Sequence, residues 1–352
     1  MENLKLAIGG IRGLDERAMN LARERQDQLT KPQGSLGMLE EISVKLAGIT
    51  GNPRPMIGDK VVIVMAGDHG VVKEGVSAFP QEVTPQMVYN FITGGAGINV
   101  LARHVSARVT VVDVGVAAEI NDPHVRVRKV KAGTDNMARG PAMSREEAIS
   151  AIEVGMETVK EEIQGGATII GTGDMGIGNT TPSSAIVAVL GGLPVEAVVG
   201  RGTGIDDDRL RQKINVIREA IRVNNPDPGD ALDVLAKVGG LEIAGLTGCI
   251  LGAAANHIPV IVDGFISGAA ALVAARLAPK AANYMMASHV SAEPGHKMTL
   301  DIIGLKPMLN MDMRLGEGTG AALAMNIIEA ACKVLSEMAT FAEAGVSEVT
   351  EK

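Results

Sequence analysis

The chain of 352 residues has a formal net charge of −8 at pH 7, and 46% of its residues are hydrophobic. This charge argues against a surface that binds nucleic acid or an anionic membrane, because both of these attract basic protein surfaces. Only 2% of the residues are aromatic and none is tryptophan, so a pocket for a flat ligand must be walled largely by aliphatic and methionine side chains.

The predicted elements begin with helices and continue with a sheet. Residues 14–29 place apolar side chains on one helical face, residues 30–35 break that pattern, and residues 37–50 predict a second helix. Five short, continuous apolar runs follow, at 61–67, 109–115, 167–173, 258–264 and 283–289. Continuous apolarity is typical of strands covered on both faces, and helical segments separate most of the runs. The pattern predicts an α/β fold with a doubly wound parallel sheet, closed by an amphipathic helix that starts near Gly318.

Each apolar run ends in a polar loop that contains glycine, and ligands of doubly wound folds bind at the carboxyl ends of the strands. The most informative loop runs from Gly171 to Thr181, between a strand and a helix. The helix that opens at Asn179 and Thr180 offers unpaired N–H groups to a phosphate. An ordinary glycine turn with an Asn/Thr cap is about equally compatible with these residues. The spacing matches neither a dinucleotide fingerprint nor a Walker loop.

Three charged groups are candidates for chemistry. Glu317 stands between two glycines beside Leu315, where partial burial would raise its pKa toward that of a general base; an ordinary carboxylate in a first helical turn is the alternative. The acidic run 206–208 resembles a Mg²⁺-binding segment, but the start of a helix explains it better. Lys213 lies in the first two turns of that helix, where it either reaches a phosphate or is solvated.

Histidines and strand-end residues complete the candidates. The spacing of Asp68, His69, His289 and His296 matches no metal motif, so no metal site is predicted. Asp263 and Ser291 sit at the ends of predicted strands, a favourable position for contacts with a ribose or a phosphate.

The apolar segments and the cysteines of the sequence indicate the cellular compartment of the protein. Residues 1–20 contain no continuous apolar segment of the signal-peptide kind, and the apolar stretch at about 264–275 is too short to span a bilayer. Cys249 and Cys332 form no metal-ligand spacing and are typical of buried thiols in a reducing compartment. We therefore expect a cytoplasmic protein.

Several segments together resemble one family in order along almost the whole chain. They include LTKPQGSLGMLE (29–40), AGDHGV (66–71), GTGDMGIGNTTPSSA (171–185), VVGRGTG (198–204), SHVSAEPGH (288–296) and MRLGEGTGAALAM (313–325). The chain resembles the nicotinate-nucleotide:5,6-dimethylbenzimidazole phosphoribosyltransferases of cobalamin nucleotide-loop assembly. This resemblance implies a Rossmann-like sheet in a large domain, residues 55–310, and a small helical domain built from residues 1–54 and 311–352. It also implies a homodimer.

The resemblance implies a reaction in which β-nicotinate mononucleotide and an aromatic base give an α-ribazole 5′-phosphate and nicotinate. Because the leaving group is already a cationic pyridinium, neither a cofactor nor a metal is expected. The resemblance assigns the general base to Glu317 and makes Asp174 a second carboxylate. It assigns Leu315 to the azole pocket, together with Phe79, Gln86 and Met87 from the segment 77–88. The phosphate and ribose contacts that it implies are Gly176, Gly178, Lys213 and Ser291.

Other functions stay open at this point. A nucleotide hydrolase or a diphosphosugar-dependent phosphoribosyltransferase would use a similar phosphate site, and the latter would need a divalent metal. A non-catalytic nucleotide-binding partner is a further possibility of a different class. An NAD-dependent oxidoreductase fits least, because the glycine spacing fails.

Overall fold

The fold is built on a six-stranded parallel sheet, seen in a computed structural model that describes residues 1–347. The strands of this sheet, in chain order, are β1 (Asp59–Gly67), β2 (Ala107–Gly115), β3 (Val125–Val127), β4 (Ala167–Met175), β5 (Val260–Val262) and β6 (Met285–Ala287). Their spatial order, β3-β2-β1-β4-β5-β6, is that of a Rossmann fold, and it reverses direction between β1 and β4. The α/β, doubly wound prediction is therefore confirmed.

All five predicted strands are present, although β5 and β6 are much shorter than their apolar runs. The run 283–289 divides at Ser288, after which β7 (His289–Val290) pairs with β8 (Leu309–Asn310) in a separate two-stranded parallel sheet. This small sheet places the loop after β7 beside the loop after β8. The sequence did not predict β3, β7 or β8, because strands of two or three residues are too short to show a periodicity.

Helices cover both faces of the main sheet. They are α1 (Glu2–Gly10), α2 (Glu16–Gln28), α3 (Met38–Thr50), α4 (Val83–Thr93), α5 (Gly97–His104), α6 (Arg145–Gln164), α7 (Thr180–Gly191), α8 (Val195–Val198), α9 (Asp207–Asn224), α10 (Ala231–Val238), α11 (Leu241–Ala255), α12 (Phe265–Leu277), α13 (Pro294–Ile303), α14 (Thr319–Glu337) and α15 (Phe341–Ala344). Short 3₁₀ segments cover Gly70–Glu74 and Pro279–Tyr284.

The pleat of the central strand β1 divides the core into two layers. Val61, Ile63 and Met65 pack on one face with apolar residues of α6, α11 and α12. Val62 and Val64 point to the other face, which α3 and α14 cover. Both faces are therefore buried, as the continuous apolarity of the strand indicated.

Helices from the two ends of the chain pack together. Ala22 of α2, Ala47 of α3 and Leu335 of α14 belong to one buried cluster, and the backbone of Leu29 pairs with that of Thr340. The first half of α14 lies on the main sheet. The division into residues 55–310 and residues 1–54 with 311–352 stays a prediction, and its residues 348–352 lie outside the described part of the chain.

Glycines allow α6 and α11 to touch along their backbones. A Cβ added at Gly248 of α11 would collide with the carbonyl oxygen of Ile152, and one added at Gly155 of α6 would collide with that of Gly245. Neither carbonyl can move without breaking its helix. Within residues 1–347, no helix has the length and apolarity needed to cross a membrane.

We expect the Gly248→Ala substitution to lower the free energy of unfolding by about 1–3 kcal/mol, because the added methyl group overpacks a backbone contact. Urea-induced unfolding followed by circular dichroism measures this change. The control is Gly9→Ala in α1, where an added Cβ meets no atom within 4 Å. Equal stability of the two variants would contradict the close packing of α6 and α11.

Candidate active site

A cleft opens at the carboxyl end of the main sheet, next to the position where the strand order reverses. It holds about 930 Å³ of space, including the part open to solvent, which is within the range of ligand clefts. Eight residues predicted from the sequence line it: Phe79, Asp174, Gly176, Gly178, Asn179, Thr180, Ser291 and Leu315. The other five predicted residues are not part of this lining: Gln86, Met87, Lys213, Asp263 and Glu317.

The glycine loop between β4 and α7 forms the floor of the cleft. Gly176 has no room for a side chain, because a Cβ there would collide with the carbonyl oxygen of Gly67 and lie 3.2 Å from Nε2 of His69. Gly178 has a φ of +89°, in the left-handed region that favours glycine. The side chain of Asn179 makes no capping bond to α7. The N–H of Thr181 donates to the carbonyl oxygen of Gly178, and position 182 is a proline, so the N–H of Thr180 is the donor that the start of α7 can offer to an anion.

The side chain of Lys213, on α9, contacts the first residue of α7. This side chain is fully buried, and Nζ donates to Oγ1 of Thr180 at 2.7 Å and to the carbonyl oxygen of Gly200 at 3.2 Å. Burial lowers the pKa of Lys213 to about 8, against the opposing effect of the Glu293 carboxylate. The solvated alternative is therefore wrong, because the buried amine contacts Thr180, the first residue of α7.

Glu317 is buried, with 6% of its surface exposed, just before α14 begins at Thr319. It has a φ of +63°, and its Oε2 accepts a hydrogen bond from the backbone N–H of Ile98 at 3.1 Å. Burial raises the pKa of Glu317, although the Ile98 bond opposes this effect. The first-turn alternative is wrong, because the carboxylate lies at the start of α5 and outside α14. A Cβ on Gly97 would approach both Glu317 and Leu315, so these two side chains lie together.

Asp174 is a second buried carboxylate, at the end of β4. Its Oδ2 accepts a hydrogen bond from Nδ2 of Asn179 at 3.0 Å, whereas the buried Oδ1 has no partner. Burial raises the pKa of Asp174 well above the usual range, and the negative charges of Asp263, Glu242 and Glu317 act in the same direction. This carboxyl group therefore favours its protonated form more than an ordinary aspartate does.

Asp263 anchors the start of α14. Its Oδ2 accepts from the backbone N–H of Gly318 at 3.1 Å, and its Oδ1 accepts from that of Ala321 at 2.9 Å. Burial raises its pKa to about 7, against the effect of these backbone bonds. Its contact with a ribose or phosphate stays a prediction, while its bonds hold the residues directly after Glu317.

The residues predicted to contact the aromatic base are more exposed than those predicted to contact the phosphate. Phe79 is 51% exposed and Leu315 is 61% exposed, so both present apolar surface at the rim of the cleft. On α4, Gln86 is exposed and Met87 is half-buried. These exposed apolar groups are the part of the cleft that a flat aromatic ligand would cover.

Residues that were not predicted also line the cleft, among them Gly202, His289, Glu293 and Arg314. Burial lowers the pKa of His289, whose Nδ1 lies 2.9 Å from Oγ of Ser288. Sequence signals for these residues existed in the segments VVGRGTG and SHVSAEPGH and in the loop before Glu317. These segments did not specify which of their polar side chains face the cleft.

The suspected metal ligands have other partners. Nε2 of His69 lies 2.7 Å from Oε1 of Glu242 beneath the glycine loop. Burial lowers the pKa of His69, but the charges of Glu242 and Asp68 outweigh this effect and raise it. Asp206 caps α9 by accepting from the N–H of Arg209, which confirms the helix interpretation of the acidic run. In the described residues, no three His, Cys, Asp or Glu side chains are grouped as a metal site requires.

The cleft therefore combines a candidate anion seat with the buried carboxyl group of Asp174, and Glu317, a second buried carboxyl group with a raised pKa, lies beside the lining residue Leu315. One end suits a phosphate group, and the other suits transfer of a proton to or from an apolar ring. A sugar phosphate that carries an aromatic base contains both kinds of group.

Comparisons with known proteins agree with this chemistry. A family model described as phosphoribosyltransferase matches residues 11–346. Over 352 residues the chain is 60% identical to the nicotinate-nucleotide–dimethylbenzimidazole phosphoribosyltransferase of Chloroflexus aggregans, with all of both chains covered. It is 58% identical to the protein of the same name from Desulforamulus reducens, over 99% of each chain. The crystal structure of CobT from Thermus thermophilus has a TM-score of 0.92 and 48% identity, covering 95% of this chain and 100% of that one.

We expect Lys213→Met to weaken the binding of inorganic phosphate by about tenfold or more, because it removes the charge behind the anion seat. Affinity in the parent protein should fall as the pH rises through about 8, where Lys213 loses its proton, and the variant should lack this decline. Calorimetric titrations from about pH 6.5 to about pH 9.5 bracket that pKa and measure both effects. Lys297→Met, at a surface lysine paired with Asp301, is the control. An unchanged phosphate affinity in Lys213→Met would remove Lys213 from the anion seat.

Proposed function

The chain belongs to the family of nicotinate-nucleotide–dimethylbenzimidazole phosphoribosyltransferases, and we propose that it transfers 5-phosphoribosyl from nicotinate mononucleotide to 5,6-dimethylbenzimidazole or a related aromatic base. The products are α-ribazole 5′-phosphate and nicotinate, in the assembly of the cobalamin nucleotide loop. The observation that carries this proposal is the pairing of a phosphate seat at α7 with the buried carboxylate of Glu317 beside the apolar rim.

The 5′-phosphate binds at the start of α7, where the glycine loop, Thr180 and the Lys213 amine provide N–H groups and charge. Ser291 is the proposed ribose contact in the cleft lining, whereas the contact of the fully buried Asp263, whose oxygens accept from backbone amides, stays a prediction. Binding at this end fixes the sugar, so that its C1′ faces the open rim of the cleft. The energy of the phosphate contact is thereby used to orient the reacting carbon.

At C1′ the bond to the pyridinium nitrogen breaks and the azole nitrogen attacks from the opposite face. The carbon passes through an oxocarbenium-like state and its configuration inverts from β to α. The bonding pair leaves with nicotinate, which neutralises the pyridinium charge. No metal and no cofactor is required for this departure.

The incoming azole becomes cationic unless its second nitrogen loses a proton. We assign that proton to the carboxylate of Glu317, whose raised pKa makes it a stronger base than an ordinary glutamate. Leu315 and Phe79 of the cleft lining are proposed to wall the ring. Met87 and Gln86 of α4 lie outside that lining, and their contact with the ring stays a prediction. Asp174, which favours its protonated form, is the proposed second carboxyl group near the sugar.

The protein is proposed to act as a cytoplasmic homodimer with small-molecule substrates only. The two-domain division, with residues 55–310 carrying the cleft, belongs to the same proposal. The packing of α2 and α3 against α14 supports it, since these helices come from both ends of the chain.

The decisive measurement is the release of nicotinate from nicotinate mononucleotide in the presence of EDTA, with and without 5,6-dimethylbenzimidazole. We expect release that depends on the base, with formation of an α-riboside phosphate. Release without the base would instead identify a hydrolase. No release with any azole or phenol would identify a binding protein.

We expect Glu317→Gln to lower kcat by about 10²-fold or more with little change in the affinity for nicotinate mononucleotide, because the amide cannot accept the azole proton. The rate should fall on the acid side at a pH above the usual glutamate range, since protonation of Glu317 removes the base and its pKa is raised. This limb of the pH profile of kcat should vanish in the variant. Glu24→Gln, at an exposed position of α2, is the control. An unchanged rate and pH profile in Glu317→Gln would remove Glu317 from the mechanism.

A further inference from the structure

Two irregular loops face each other across the cleft. We call residues 199–206, between α8 and α9, the phosphate-side loop, and residues 311–318, between β8 and α14, the base-side loop. The first lies against the proposed phosphate seat, and the second carries Leu315 and Glu317. Gly202 of the first loop and Arg314 of the second both line the cleft.

The phosphate-side loop is attached directly to the anion seat. Gly202 has a φ of +52°, and a Cβ there would lie 2.7 Å from Oγ1 of Thr180 and 3.4 Å from Nζ of Lys213. The N–H of Gly202 donates to Oε1 of Glu293 at 3.0 Å, and Lys213 holds the carbonyl oxygen of Gly200. Glu293 and the groups of the proposed phosphate seat therefore set the position of the Gly202 peptide.

The base-side loop is conformationally strained. Asp312, Gly316, Glu317 and Gly318 all have positive φ values, between 53° and 92°. For a residue with a side chain, such as Glu317, this conformation costs roughly 1–2 kcal/mol and persists only where the surroundings impose it. Contacts outside the loop must therefore hold it.

Hydrogen bonds from outside the loop hold both ends of the base-side loop. The carbonyl oxygen of Met313 accepts from the N–H of Ala292 at 3.0 Å, and Asp263 accepts from the N–H of Gly318. Between these anchors, Nη1 of Arg314 donates to the carbonyl oxygen of Gly202 at 3.0 Å. Gly202 is thus bonded to Glu293 through its N–H and to Arg314 through its carbonyl.

Building on the proposed function, we propose that Arg314 is a positioning residue that couples occupation of the phosphate seat to the placement of Leu315 and Glu317. A bound 5′-phosphate fixes Gly202 against Thr180 and Lys213. The Arg314 bond then transmits this position to the base-side loop. The binding energy of the phosphate thereby helps to hold Glu317 and Leu315 in place at the acceptor base. A small displacement of a catalytic group there would lower the rate.

The test compares Arg314→Ala with the parent enzyme on nicotinate mononucleotide and on nicotinate riboside, which lacks the phosphate. On the mononucleotide we expect kcat to fall by about tenfold or more with KM changed less than about threefold. On the riboside we expect the variant to match the parent, because no phosphate is present to be coupled. Arg314→Gln keeps an N–H donor without the charge, and we expect it to restore most of kcat.

Three results would overturn this inference: an unchanged kcat in Arg314→Ala, a raised KM alone that glutamine does not rescue, or equal losses on both substrates. The second would make Arg314 a direct ligand of the phosphate, and the third would indicate a general structural role. Thermal unfolding of each variant shows whether it folds. If Arg314→Ala has a folding defect, the kcat of Arg314→Gln on the mononucleotide tests the coupling instead. Arg211→Ala, at an exposed arginine paired with Asp208, is the control. Failure of the parent enzyme to form an α-riboside phosphate would instead reject the proposed function.

Discussion

The buried carboxylate of Asp263 is the interaction on which the active site depends. It follows the short strand β5 and accepts hydrogen bonds from backbone amides at the start of α14. A buried carboxylate is costly unless such donors satisfy it, so the strand end and the helix start must stay together. The strained residues before α14, including Glu317, take their position from this junction. The main sheet and the proposed general base are in this way parts of one hydrogen-bonded unit.

A second constraint is the crowding of acidic groups under the cleft. The carboxylates of Asp263, Glu242 and Glu317 all act on Asp174, and the raised pKa values of Asp174, Asp263 and Glu317 follow chiefly from burial. Nε2 of His69 lies 2.7 Å from Oε1 of Glu242, and Lys213 lies by the proposed phosphate seat. A cationic pyridinium and an oxocarbenium-like carbon are stabilised by negative surroundings, while the phosphate needs the opposite charge. The proposed mechanism assigns the phosphate to the buried Lys213 amine and the cationic groups to the acidic surroundings.

The sequence predicted the sheet well because buried parallel strands are continuously apolar, and this property is local. The glycine loop after β4 was predicted equally well, because a strand, the glycines and a helix start follow one another directly in the sequence. The positions of Glu317 and Lys213 depended on the tertiary structure. Glu317 contacts Ile98, which is 219 positions away, and Lys213 is covered by Thr180 and Gly200. Such contacts leave no periodic signal, and Arg314 and Glu293 were missed for the same reason.

Helix α14 extends from the active site to the helices at the chain ends. With 19 residues it is about 28 Å long, and a helix of this length behaves as a rod. Its first turn is bonded to Asp263, and its far end packs at Leu335 with Ala18 and Ala22 of α2. The same helix therefore joins the packing of the chain ends to the segment that carries the proposed general base.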